Sequence, residues 1–360
     1  MAPSLSVQYD QNTPSSDRIL RLHQTRIRWL LLSSILTILV ALMSLWVGSY
    51  QIQLPDVVDF LFQPTDQPLG HQQQWYVLSQ LRLPRSLMAS CIGALLGMSG
   101  CAMQGLVRNP LADPGLIGIS GGAAAAAAAS IAFVPLLGAS ALFSTSLAAF
   151  LGALLSVAIV VRMAKQVQGL TVATLILAGV AINAFSGTII GAISYMADDD
   201  ALRQISYWTM GSLAGANWQQ VLMLLPCSLI CILLFWRTRH GLNLFALGEQ
   251  DAASMGLNVK HTKRMILWTI AFAVAIATAL CGIIGFVGLV VPHICRALIG
   301  VNHRYLLPAS GIVGSLLLLV SDMLSRTLIS PVEIPIGIIT SALGAPFFLY
   351  LLSRQKYAYN

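Results

Sequence analysis

The sequence predicts an all-α, polytopic membrane protein of about ten transmembrane helices. Three observations carry that prediction. Of 360 residues, 57% are hydrophobic and 9% charged, where a soluble domain carries roughly 25% charged. Mean hydropathy is +0.78. The apolar residues also come in runs near the ~20 residues that one crossing takes. So few polar groups cannot cover a soluble surface. A soluble enzyme, a secreted disulfide scaffold, a disordered tail and a nucleic-acid-binding domain are excluded.

Residues 1–28 form a polar tail with Arg18, Arg21, Arg26 and Arg28, and Trp29–Val47 is the first span. That run is too long for a signal-peptide core, and no small-residue cleavage site follows it. A polar stretch with Pro55, Pro64 and Pro68 reads as an external loop. Breakers and flanking charges then place span 2 at 84–107, span 3 at 114–133, span 4 at 140–161 and span 5 at 170–193. Pro84 sits at the start of span 2, where a missing amide donor costs little. Asp198 to Ala216 contains a short helix outside the bilayer core. Span 6 follows at 218–236, then a polar segment from Arg237 to Arg264. Spans 7 to 10 lie at 265–284, 286–300, 305–324 and 334–352.

Charge tests this layout. With both termini in the cytoplasm, 16 Lys and Arg fall inside and 4 outside: Arg82, Arg85, Arg203 and Arg326. That is the asymmetry the positive-inside rule demands. The net charge of +7 is therefore an orientation signal. It does not point to nucleic acid, because the basic residues form no aromatic-interleaved patch.

Gly93 and Gly97 in span 2, Gly187 and Gly191 in span 5, and Gly282, Gly285 and Gly288 around span 8 are positions where backbones can approach. Spans 3 and 8 are both interrupted by Gly and Pro. Spans 2–5 start outside and spans 7–10 inside, which fits an inverted repeat of four helices each. All 13 acids map outside the spans or to their ends, with Asp322 and Glu333 closest. An ion-coupled secondary transporter needs a buried acid, so energy is expected from elsewhere. Asn183 and the Thr340/Ser341 pair lie near mid-membrane, either bonding helix to helix or lining a pore. Cysteine and histidine show no metal spacing. The six cysteines read as small buried hydrophobes. No P-loop or hydrolase motif appears, so the chain is not expected to be an enzyme.

In the long inner segment, Leu244 and Leu247 before Gly248, and Ala252 and Met255 after it, recur at helical spacing. Two short helices with glycine breaks fit, with an apolar face for a partner protein or lipid. Glu249 and Asp251 argue against the anionic inner leaflet.

Three stretches together resemble the iron-chelate permeases of ABC importers, the FecCD type. The first is Leu83-Pro84-Arg85 through Gly100, with Met103-Gln104-Gly105 and Arg108-Asn109-Pro110-Leu111-Ala112-Asp113-Pro114-Gly115-Leu116. The second is Ala246-Leu247-Gly248-Glu249. The third is Gly285 through His293, with Glu333-Ile334-Pro335-Ile336-Gly337 and Gly344-Ala345-Pro346. The similarity covers about residues 30–354.

The resemblance implies a permease domain over 29–354, with a coupling loop at 242–258, acting as a dimer with a second copy or a paralogue. Leu247, Gly248, Glu249 and Ala252 would dock on ABC ATPase subunits, where ATP and Mg belong; this chain would bind no cofactor or metal. Asn109, Leu111, Gln168 and Thr171 would form a cytoplasmic gate. Spans 5 and 10, with Asn183, Thr340 and Ser341, would line the pore. Arg82, Arg85 and Arg326 would pair with glutamates of a periplasmic or lipoprotein substrate-binding protein, and an arginine fork suits carboxylates. Glutamate at position 82 or 85 would then weaken docking without disturbing assembly. The implied setting is the bacterial inner membrane. The implied cargo is a ferric siderophore, with haem or cobalamin as alternatives. A zinc or manganese permease would need metal ligands that this pattern lacks.

Overall fold

The computed structural model describes residues 16–62, 72–134, 141–166, 169–170 and 172–357. Helices make up nearly all of it. In chain order they are α1 (Ser16–Trp46), α2 (Leu54–Phe62), α3 (Gln72–Tyr76), α4 (Leu83–Val107), α5 (Ile119–Phe133), α6 (Ala141–Ala164) and α7 (Val172–Met196). Then follow α8 (Asp199–Met210), α9 (Trp218–Phe245), α10 (Glu249–Ser254), α11 (Val259–Cys281), α12 (Val287–Ile299), α13 (His303–Thr327) and α14 (Ile336–Tyr357). Seven helical runs are long and apolar enough to cross a membrane, and α5, α12 and Ile336–Tyr350 are shorter apolar helices. Each expected span has its helix.

The edges differ from the expected ones in informative ways. The first helix begins at Ser16, so residues 16–28 extend the first span. Span 2 does not start at Pro84. One helical run covers Gln72–Val107, with a π-helical segment at Val77–Arg82. Leu83 there donates its amide to the Leu78 carbonyl, five residues back. A proline just after such a widened turn breaks no regular ladder. The long inner segment holds one free short helix, α10. The other expected one is the extension of α9, which runs nine residues past the predicted end.

α4 is the hub. α13 lies along it, and α9, α11 and α12 pack around it. A side chain at Gly93 would collide with the Gly314 carbonyl, one at Gly97 with the Ser310 carbonyl, and one at Gly100 with the Gly288 carbonyl. Backbones thus touch where the small residues allow it. Gly187 and Gly191 are the opposite case: a Cβ at either meets nothing within 4 Å. The two interrupted spans meet. A 3-10 turn at Pro114–Ile117 precedes α5, non-helical residues 282–286 precede α12, and the Pro114 ring lies beside Gly288. All six cysteines are free thiols, four of them fully buried.

Candidate functional site

Two ends of the bundle carry the polar chemistry. At one end, where α1 and α13 finish and α4 begins, Arg82, Arg85, Arg326, Asp322 and Glu333 form a single cluster. Arg85 Nε donates to Asp322 Oδ1 at 2.8 Å, and its Nη1 donates to both Glu333 oxygens at 2.9 Å. Arg326 Nε lies 3.2 Å from Asp322 Oδ2. Arg82 donates to the carbonyls of Leu45 and Trp46 at 2.7 Å, and to that of Tyr50. The first two carbonyls close α1, so the cation sits at the negative end of the helix dipole. Arg326 also reaches the Ser44 carbonyl at 3.3 Å.

This geometry bears on two expectations. The three arginines are 4–8% exposed and spend their forks on this chain's own acceptors. They brace the end of the bundle and do not present free guanidinium groups. Of the acids mapped to the ends of spans, Asp322 lies in the last two turns of α13 at 1% exposure. Two arginines neutralise it, which a low-dielectric site requires of a buried charge.

At the opposite end, Gly248 starts α10 at φ +124°, a backbone reserved for glycine. Glu249 meets Lys263 of α11 at 2.6 Å, and Ala252 is wholly buried. These contacts pin the base of the short helix. Leu247 and Met255 remain 57% and 63% exposed on either side of it. Arg108 ends α4 in the left-handed conformation at φ 54°, and its Nη1 points toward Gly248. The turn after α4 therefore abuts the loop. In that turn Asn109 Oδ1 accepts the Leu111 amide at 2.9 Å, and Asp113 accepts from Gly115 at 2.7 Å. Burial raises the Asp113 carboxyl above its ordinary range, and the Gly115 amide opposes the shift. Gln168 and Thr171 lie outside the described residues.

The mid-membrane candidates separate. Asn183 of α7 donates to the Gly115 carbonyl at 3.0 Å, a helix-to-turn tie. Thr340 is 2% exposed and bonds its own helix at Gly337, so its hydroxyl does not line an open face. Ser341, next to it, is partly exposed. Sequence reasoning missed Arg108, Lys263 and Asp322 as members of these sites. Asp322 gave a signal as an acid close to the end of a span, and Arg108 as the first residue of the motif that runs to Leu116.

The sequence pattern of the FecCD transport family matches residues 36–354. The chain belongs to that family. This FecCD permease is 45% identical over 290 residues to the hemin transport system permease HmuU of Yersinia pestis, covering 78% of the chain and 84% of the relative. It is 41% identical over 279 residues to the vitamin B12 import system permease BtuC of Vibrio cholerae, covering 77% and 82%. A solved structure, an inward-facing conformation of a metal-chelate type ABC transporter, superposes with a TM-score of 0.80 at 32% identity. It covers 90% of this chain and 98% of that one. The FecCD chain is thus a multi-pass membrane permease of ABC importer type.

The geometry gives the permease a first test. Glu249→Lys would place two ammonium groups together at the base of α10 and release the helix. Transport should fall to background while the amount of folded, membrane-inserted protein stays near normal, read by uptake beside fluorescence-detected gel filtration. Normal uptake would count against a coupling role.

Proposed function

We propose that this chain is the permease subunit of an ATP-driven importer that carries an intact metal chelate, haem in the first instance, across the bacterial inner membrane. The observation that carries the reading is the pinned helix α10 with Leu247 and Met255 uncovered beside it. A rigid knob with an apolar rim suits a groove on a separate ATPase subunit. ATP and Mg belong to that subunit. Asn109 and Leu111, in the turn against this loop, together with Gln168 and Thr171, act as the inner gate. A second copy or a paralogue packs against α7 and α14, where Ser341 is a pore-lining candidate. A substrate-binding protein docks at the braced end, above the arginine cluster. Both termini are cytoplasmic.

On cargo, haem and vitamin B12 rank ahead of the siderophore expected from sequence, because the named relatives carry those two. Proteoliposomes holding the permease, its ATPase and its binding protein decide the point. ATP-dependent uptake of haem, competed by excess haem and not by a ferric siderophore, is the expected result. Uptake of the siderophore alone would reverse the ranking. Uptake that persists without ATP and stops with an uncoupler would remove the ABC reading.

A further inference from the structure

Tyr305, in the first turn of α13, is approached by two guanidinium groups. Arg26 of α1 is 5.4 Å and Arg304 is 5.9 Å from the ring centroid, within cation–π reach. The phenol hydroxyl bonds His23 Nδ1 at 2.7 Å. Arg304 is exposed, and Arg26 and Tyr305 are half-buried. Among the described residues, the ion pairs belong to Arg85, Lys263 and Arg326, and no carboxylate meets Arg26 or Arg304. Two cations gathered on one ring repel each other and call for an anion from outside the chain. The end of α12 meets part of this need, since Arg26 lies near Gly300, but it leaves Arg304 unanswered.

A second observation fixes the kind of anion. Directly along from Arg26, α1 leaves its apolar face uncovered: Ile27, Leu31 and Ile35 are 39%, 58% and 54% exposed. Only 11% of the most apolar window of this helix is buried by the rest of the chain. A soluble anion would use the cations and ignore the stripe. An amphiphile with an anionic head and two acyl chains uses both.

We propose that Arg26, Arg304 and Tyr305 hold the phosphate of an anionic phospholipid whose chains lie along Ile27, Leu31 and Ile35. The site rests on family membership, which makes α1 a membrane helix, and not on the cargo or the ATPase. The test uses the full chain, purified with its partner subunits, in nanodiscs of equal phosphatidylcholine and phosphatidylglycerol. Lipid retained after detergent extraction is read by native mass spectrometry. Phosphatidylglycerol should be enriched on the natural protein. Arg304→Gln, which removes the exposed guanidinium, should lower the enrichment about fivefold. Arg203→Gln, at the other end of the bundle, should leave it unchanged. Equal enrichment in natural and Arg304→Gln protein would overturn the proposal. So would an equal loss in Arg203→Gln. Arg26→Gln separates packing from binding: a fall in melting temperature confined to phosphatidylglycerol discs supports a lipid contact. The same fall in pure phosphatidylcholine discs assigns Arg26 to α12 alone and overturns its place in the site.

Discussion

Arg85→Glu is expected to stop the bundle from closing, with little folded protein recovered from membranes. Arg85 joins buried Asp322 to Glu333, and so ties α4 to α13 and to the segment entering α14. Removing one partner of a buried pair costs ~3–5 kcal/mol, because the other charge is left without compensation. Glutamate does worse, since it sets a third carboxylate beside two. Yield on gel filtration and the melting temperature read the effect. A variant that folds normally and fails only to bind its substrate-binding protein would restore the docking role expected from sequence. A double-mutant cycle adds a control. Arg85→Met with Asp322→Asn should be less destabilised than the two single changes summed, because contacting groups are not additive.

Gly100→Leu should be nearly as damaging, and Gly187→Leu should not. At Gly100 the first side-chain carbon would meet the backbone of Gly288, which has no flexible end to yield. Overpacking a core usually costs ~1–3 kcal/mol, and obstruction by backbone belongs at or above the top of that range. At Gly187 the space within this chain is open. Leucine there should leave the melting temperature of the separated subunit unchanged. If a second permease packs on α7, the same change should split the assembly into single permeases, visible by light scattering. An intact dimer would move the proposed interface away from α7.

These contrasts mark what sequence could and could not convey. The spans were legible because each crossing needs its own apolar run, which is local information. The direction in which Arg82 and Arg85 face was not. Three-residue spacing places them on one side of a helix, but which side depends on the π-helical segment just before them. It depends also on acids 237 and 248 positions away. The loop motif was legible as a knob, through Gly248 and its apolar flanks. The Lys263 partner of Glu249 was not, because several basic residues of that segment offered the same charge. Asn183 fits the helix-bonding alternative, since its acceptor, the Gly115 carbonyl, belongs to a turn formed by another part of the chain.

The clasp at the end of α1 bears on the order in which the protein is made. α1 leaves the ribosome before the helices that fasten it, and it offers the bundle little of its own surface. Apart from Arg82 at its end, its fastenings come from far downstream: Ile312 accepts from Thr37 midway along, Tyr305 bonds His23 near the start, and Arg326 reaches Ser44 near the finish. A helix that enters the bilayer before α13 is therefore fully secured only once α13 is made. Until α13 arrives, it is held mainly at its end, by Arg82 and the start of α4. A chain truncated before α13 should still insert and yet leave α1 open to cross-linking by unrelated neighbours.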